Sequence, residues 1–312
     1  LDLNINLIKY FSISLLSVVV FTSLDGYLQW FTGYNLFGFT PPTIRITGIF
    51  NTEEILGHFL AYTTPLLIAL LAFVFGVDKK KVIIYVAILI LVEVMIFISG
   101  DRAAFLKIVQ FTILLIILSK NFKLTRLISF VISSLIIILL ISLSPDSIER
   151  FELTIQEVSS NTVPYMPWSP VHESHFLIAY DMFTKNPLFG QGPQLFRTLC
   201  QITPEYIGGC SSHPHNYYMQ TLGEMGIVGI FFLIFFFFYT IIILFKHFIS
   251  LWIFKSEKNQ LSDHYLFLIC LIFVILWPLI PHQSFYNNRF NPIIFTIFGF
   301  YHYFNLKKQI KN

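Results

Sequence analysis

Ile227-Val228-Gly229-Ile230-Phe231-Phe232-Leu233-Ile234-Phe235-Phe236-Phe237-Phe238-Tyr239-Thr240-Ile241-Ile242-Ile243-Leu244-Phe245 contains no charged residue. About 20 apolar residues cross the hydrocarbon core of a bilayer, so this stretch suffices by itself. On a water-facing surface its four consecutive phenylalanines would form a large apolar patch and drive aggregation; a bilayer accepts them. The whole chain is built the same way. It is 55% hydrophobic and 12% charged, with 36 phenylalanines, whereas a soluble domain is roughly 25% charged. The expected fold class is an all-α polytopic membrane protein.

Working outward from that stretch, the sequence offers eight candidate spans, at 6–24, 55–76, 82–99, 103–119, 127–143, 217–245, 263–281 and 290–305. Gly100-Asp101-Arg102 is a tight turn between the third and fourth. Lys107 lies within the fourth and reads as exposed or lining a cavity. With eight spans, four basic segments fall on one side: Lys79-Lys80-Lys81, then Lys120, Lys123 and Arg126, then Lys246, Lys255 and Lys258, then Lys307, Lys308 and Lys311. The positive-inside rule makes that side cytoplasmic, and both termini with it. The division expected is a five-span bundle (1–143), a large outward loop (144–216) and a three-span bundle (217–312). The chain starts at Leu1, and no small-residue cleavage site follows its first apolar run, so no cleavable signal peptide is expected. A trimmed N-terminus with further helices upstream is one reading of that start.

Two outward segments are long, 25–54 and 144–216. A connection of the second one's length is functional or disordered, and its many Phe, Tyr and Trp residues argue for order. His172–Lys185 reads as an amphipathic helix with Phe176, Ala179, Tyr180 and Phe183 on one face, stopped by Asn186-Pro187. Cys200 and Cys210 both lie in this segment, and a disulfide suits them if it faces an oxidising compartment. Cys270, inside an apolar run, reads as a small buried hydrophobe.

Ser211-Ser212-His213-Pro214-His215-Asn216 carries the helix-start signal of a serine N-cap followed by proline. A helix N-terminus offers free N–H groups and partial positive charge. It attracts phosphate and keeps a nearby histidine neutral, able to act as a base. The plainer alternative is a pair of interfacial histidines. A metal pair is a third, but no ligand set with zinc spacing accompanies it. Glu224, nine residues after His215, lies about half a turn away in angle, so it is not expected to pair with His215 and is free to bind a neighbouring helix or loop. Gly226 and Gly229 read as small residues permitting close helix packing. Asp101 can cap the fourth span, with Arg102 in its first turn, and Arg45 precedes the second. Either arginine alone reads as snorkelling to lipid phosphate; together with a histidine at a helix start they favour a shared anionic site, which arginine's forked donors suit. Glu93, within the third span, needs a partner or a proton and so faces the bundle interior. Asn287, Asn288 and Arg289 read as a polar cap on a short turn.

Several functions are excluded or disfavoured. No basic, aromatic-interleaved soluble stretch marks a nucleic-acid surface. Gly190-Gln191-Gly192-Pro193 lacks the βαβ surroundings of a dinucleotide site, and no P-loop is present. A phosphate ester substrate is therefore most simply lipid-borne.

Four stretches, in this order, resemble the O-antigen ligase and O-antigen polymerase superfamily. They are Arg45-Ile-Thr-Gly48-Ile-Phe50-Asn51; Ser99-Gly100-Asp101-Arg102; Asn186-Pro187-Leu-Phe-Gly190-Gln-Gly192-Pro193 followed by Phe196-Arg197; and His215-Asn216 with Gly226-Ile-Val-Gly229 beyond. The resemblance implies a GT-C-like transferase in the bacterial inner membrane. It would move a glycan from an undecaprenyl-pyrophosphate carrier to an acceptor hydroxyl at the periplasmic face, without cofactor, nucleotide or metal. The acceptor is lipid A-core in ligases, a second carrier-linked glycan in polymerases and a protein hydroxyl in related oligosaccharyltransferases. It also implies that His215, rather than His213, activates the acceptor, and that Arg45 and Arg102 hold the pyrophosphate. His172 stands where the family carries a further arginine, a role that Arg150 or Arg197 could fill; His213 and Asn216 are further substrate-binding candidates. The rival from another class is a lipid-linked sugar transporter or flippase, which would show internal repeats; none is seen here.

Overall fold

The computed structural model describes residues 4–78, 81–143, 170–202, 210–255 and 260–310. Among them the regular structure is helical throughout. In chain order the helices are α1 (Ile5–Thr32), α2 (Leu56–Phe75), α3 (Val82–Ile98), α4 (Arg102–Leu118), α5 (Lys123–Leu143), α6 (Pro170–Lys185), α7 (Phe196–Leu199), α8 (Tyr217–Trp252), α9 (Asp263–Ile275) and α10 (Asn291–Ile310). The protein is an all-α, multi-pass membrane protein.

Each of the eight expected spans coincides with a helix, though their bounds differ. Among the described residues α1, α2, α5 and α8 are long and apolar enough to cross a membrane, while α3 and α9 are apolar but shorter, and α4 and α10 meet neither description. Counting apolar residues overlooked where helices end. The seventh span was expected to reach residue 281, yet α9 stops at Ile275, ahead of Pro278, which cannot join a continuing helical ladder. The first runs longer than expected, to Thr32, and ends in the left-handed cap Gly33.

The chain forms two compact units: residues 1–137, 240–275 and 292–312 in the first, and 138–239 with 276–291 in the second. α8 contributes to both.

In the first unit α2 is buried along most of its length and packs against α1, α3, α4 and α9. The outer faces of α1 and α5 are apolar and exposed, with Phe21, Leu124, Val131, Leu135 and Ile138 among the residues involved, the pattern of helices whose solvent is lipid. Some of the polar side chains inside the unit tie loops to helices. Asp25 and Gln29 lie within α1, not in the outward segment expected from residue 25. Asp25 accepts from the Leu36 amide at 2.8 Å, and Gln29 Oε1 accepts from the Thr47 and Gly48 amides at 2.9 and 2.7 Å. These bonds lay the 33–55 loop against α1 and fix the stretch that carries Arg45.

Glu93 faces the interior, as expected, and its partner is Arg126. Arg126, counted in the sequence among the basic residues of the connection between the fourth and fifth spans, is thus an interior partner. It lies in the first turn of α5, fully buried, and its guanidinium also donates to Thr112 and Ser129. An unpaired carboxylate at membrane depth is so costly that the nearest guanidinium is drawn inward. Lys107 is likewise not exposed. It is 1% exposed, with Nζ 3.0 Å from His58 Nε2 and above the Tyr62 ring.

The second unit is built round α6 and the start of α8. Ile178, Ala179 and Met182 of α6 pack with Phe196 and Cys200. The buried face of α6 is thus turned from the expected one: Ala179 belongs to it, but Tyr180 is exposed and Phe176 and Phe183 are half-buried. Cys200 and Cys210 are joined by a disulfide. Cys270, in the first unit, is free and buried.

α8 is broken rather than continuous. Gly226 has φ 64° and ψ −159°, a conformation essentially reserved for glycine. The break frees backbone groups, and the 187–192 loop satisfies them. The Ile227 and Val228 amides donate to the Pro187 and Leu188 carbonyls at 2.9 and 3.3 Å, and the Gln191 and Gly192 amides donate to Gly223 and Glu224 at 3.0 Å each. Irregular backbone is tolerated at membrane depth where protein buries it in this way. The approach leaves no room for side chains: a Cβ on Gly226 would lie 2.5 Å from the Leu188 carbonyl, and one on Gly190 2.3 Å from Glu224 backbone. Gly226 therefore does not serve helix packing, and the atoms nearest a Gly229 Cβ belong to Met225 and Thr221 of its own helix. The packing glycine is Gly223, whose Cβ would meet the Ala179 carbonyl of α6 at 2.8 Å.

Candidate functional site

In the second unit four imidazoles gather. His215 lies 4.1 Å from His213, 5.4 Å from His175 and 5.5 Å from His172, between ring centroids, and His172 lies 5.9 Å from His175. α6 supplies His172 and His175, three residues apart and so on neighbouring positions of one helix face. The segment before α8 supplies His213 and His215.

That segment does not start the helix in the expected way. Neither Ser211 nor Ser212 caps it, and Pro214 is not in its first turn. The cap is Asn216, whose Oδ1 accepts from the Tyr218 and Met219 amides at 2.9 and 3.1 Å. Its Nδ2 donates to the Pro278 carbonyl at 2.8 Å, so Asn216 joins α8 to the turn after α9. Asparagine caps as well as serine and lies closer to the first helical residue. His215, one residue earlier, has φ 55°, left-handed backbone that a non-glycine residue adopts at a cost of order 1 kcal/mol. Its carbonyl accepts from the His282 amide at 2.8 Å, which holds that conformation.

The hydrogen bonds separate the histidines. His213 Nε2 lies 3.3 Å from the His282 carbonyl, so it carries the proton and donates; Nδ1 then accepts from the Ser212 hydroxyl at 2.8 Å. Both nitrogens of His213 are committed. His215 Nε2 lies 3.2 Å from the Ser211 hydroxyl, an alcohol within proton-transfer reach of an imidazole. His175 is 3% exposed and neither ring nitrogen has a hydrogen-bond partner. Burial, reinforced by neighbouring imidazoles, pulls His175 down to about 4; burial also pulls His213 to about 4, against its bond to the His282 carbonyl. Both are neutral at physiological pH. Among the described residues no three His, Cys, Asp or Glu side chains converge as a metal ligand set.

Glu224 binds a loop, as expected from its angular position. It is buried, accepts from the Phe196 amide at 3.0 Å and from Gln220 at 3.2 Å, and thereby anchors α7. Arg197, on α7, is exposed and bonds to Gln194. Arg150 lies outside the described residues.

Arg45 and Arg102 belong to the first unit. Arg45 pairs with Glu54 at 3.0 Å, with its side chain 42% exposed. Asp101 caps α4 as expected, accepting from the Ala104 amide at 3.1 Å, and Arg102 stands exposed in the first turn. A Cβ on Gly57, at the start of α2, would lie 2.6 Å from Asp101 Cβ. The loop that ends in Glu54 and the turn that carries Arg102 therefore meet at one end of α2. Sequence reading missed what holds that turn: His58 Nδ1 pairs with Asp101 while Nε2 faces Lys107. The His58 ring bridges the Asp101 carboxylate and the Lys107 side chain, linking α2 to α4. The partners are 43 and 49 residues from His58 in sequence, so no local motif announces them. Ser211, only four residues from His215, was read as a cap rather than as its partner, and His175 could have been found from its spacing to His172.

No curated protein matches the chain. Residues 85–234 match the family model described as O-antigen ligase. That match takes in the Ser99–Arg102 turn, α6, the disulfide, the four histidines and the broken start of α8, and over those residues the chain is similar to the O-antigen ligase family.

Proposed function

We propose that the protein transfers a glycan from undecaprenyl pyrophosphate to an acceptor hydroxyl, as an O-antigen ligase, at the periplasmic face of the bacterial inner membrane. The family indicates ligase- or polymerase-type activity on lipid-linked glycans; the donor, the acceptor and the sidedness are our reading. The observation that carries it is the Ser211 hydroxyl 3.2 Å from His215 Nε2: an alcohol already occupies the position from which a base takes a proton. His213, committed at both nitrogens, is unsuited to that task.

In this reading the acceptor O–H gives its proton to His215 Nε2 while its oxygen bonds to the anomeric carbon. The carbon–oxygen bond to the pyrophosphate breaks, and the electron pair leaves with the carrier. Arg45 and Arg102 stabilise the charge that builds on that leaving group. One displacement inverts the anomeric configuration. No metal or cofactor takes part, so a chelator leaves the rate unchanged.

The test is a purified-protein assay with undecaprenyl-pyrophosphate glycan and lipid A-core. Removing a general base costs roughly 10²–10⁴-fold, so His215→Ala loses at least a hundredfold. Identical product from wild type and His215→Ala sinks the enzymatic reading. Retention at the anomeric carbon, read by NMR of the product, overturns the single displacement. Carrier binding left intact by Arg45→Ala and Arg102→Ala removes the pyrophosphate site.

A further inference from the structure

Several buried side-chain atoms make no hydrogen bond among the described residues, those of Asp25, Thr64, Ser133 and His175 among them. His175 stands beside His215. It is 3% exposed, inside a packed helical face, and both its Nδ1 and its Nε2 lack a hydrogen-bond partner. A neutral imidazole holds one donor and one acceptor, and leaving both unmade in a buried place costs free energy. The ring faces His172 and His215, with centroids 5.9 and 5.4 Å away, and its other neighbour is the Phe196 ring at 6.1 Å.

We infer that His175 is a recognition residue for the acceptor sugar, its two ring nitrogens pairing with hydroxyl groups beside the one that His215 deprotonates. This rests on the transferase reading and adds to it the group that positions the acceptor. The chemistry selects the ligand class. A hydroxyl both donates and accepts, so adjacent hydroxyls of a sugar ring answer both nitrogens of one neutral imidazole. A phosphate would want positive charge, which neutral imidazoles do not supply. A metal ion would want three converging ligands, an arrangement absent among the described residues. His175 is a binding residue here, not the base.

The experiment compares His175→Phe, which keeps a ring without nitrogens, with His175→Gln, which keeps a donor and an acceptor. Undecaprenyl-pyrophosphate glycan is the donor; lipid A-core and a carrier-linked glycan are offered in turn as acceptors. We expect the phenylalanine variant to raise the acceptor KM about tenfold with the donor KM unchanged, and the glutamine variant to recover most of that loss. An unchanged acceptor KM, or a rise confined to the donor KM, overturns the assignment. His215→Ala runs in parallel: if it loses activity while His175→Phe behaves as wild type, the transferase reading stands and the subsite falls. If wild type makes no product with either acceptor, both fall. A second measurement needs no variant with enzymatic activity. The chain has nine histidines, few enough for ring-labelled NMR, and the His175 signal, identified by its loss in His175→Gln, should move on adding lipid A-core and not on adding undecaprenyl pyrophosphate. A signal that ignores the acceptor overturns the proposal.

Discussion

The two units bury different kinds of polar cluster. In the first, charge meets charge: Glu93 with Arg126, and Asp101 with Lys107 across His58. In the second, imidazoles crowd together with no carboxylate among them, and His175 keeps both nitrogens unpaired. A buried network whose members are all answered is a rigid frame; it fixes where the α3–α4 turn, and so Arg102, stands. A buried group left unanswered stores a demand that a ligand can meet. The difference motivates the proposal that His175 meets a substrate.

That contrast can be broken most severely at the ion pair. Removing one partner of a buried pair costs roughly 3–5 kcal/mol, whereas replacing both with apolar residues is nearly neutral. Arg126→Met should therefore lower the thermal unfolding midpoint strongly, and Glu93→Leu combined with Arg126→Met should restore it. Equal destabilisation by the single and double variants would mean the pair is not the frame we describe.

Next in size is the broken helix. Gly226→Ala meets the Leu188 carbonyl and a backbone conformation closed to alanine; a loss of about 3 kcal/mol is expected, with transfer activity falling as the imidazole pocket opens. A Gly226→Ala protein of wild-type stability would show that the break is not required. Asn216→Ala loses a cap and should cost about 1 kcal/mol, read as earlier amide exchange in the first turn of α8.

The histidine pocket predicts a pH dependence of known sign. His175 and His213 titrate near 4 when folded and near 6.5 otherwise, so the unfolded chain binds more protons between those values and stability falls as pH drops from 6.5 towards 4. Full stability lies above that window. Besides each other, the titratable groups facing them are His172 and His215. His175→Phe should flatten part of the slope; an unchanged slope would show that the pocket does not titrate as described. The smallest effect concerns Arg45. An exposed pair such as Arg45–Glu54 is worth at most about 1 kcal/mol, so a pyrophosphate can displace Glu54, and Glu54→Gln should tighten carrier binding by up to about fivefold. Weaker binding would mean that Glu54 helps hold the donor.

Much of this was legible in advance because it is local or compositional. The phenylalanine run demands lipid, Asp101 caps α4 from the adjacent position, Asn186-Pro187 ends α6, and Glu93 had to find a partner. Four features the sequence left open share one cause. Arg126, Lys107, the face of α6 and the role of Gly226 each depend on what another segment brings. Charge patterning cannot foresee that a carboxylate on α3 draws a basic residue of α5 inward. Helical periodicity cannot foresee that the Pro187–Gly192 loop supplies the bonds that let α8 break.

The sequence alone determined a helical membrane protein, the family signature and His215 as the residue to watch, because apolar length, turn chemistry and motif order are properties of neighbouring residues. Only the tertiary structure decided that His213 is committed while His175 is open, that Ser211 sits at His215 and that His58 braces the turn of Arg102. The contacts of His58 and of His213 with the His282 carbonyl join groups far apart in sequence, and a hydrogen bond is settled only when its two partners meet in space.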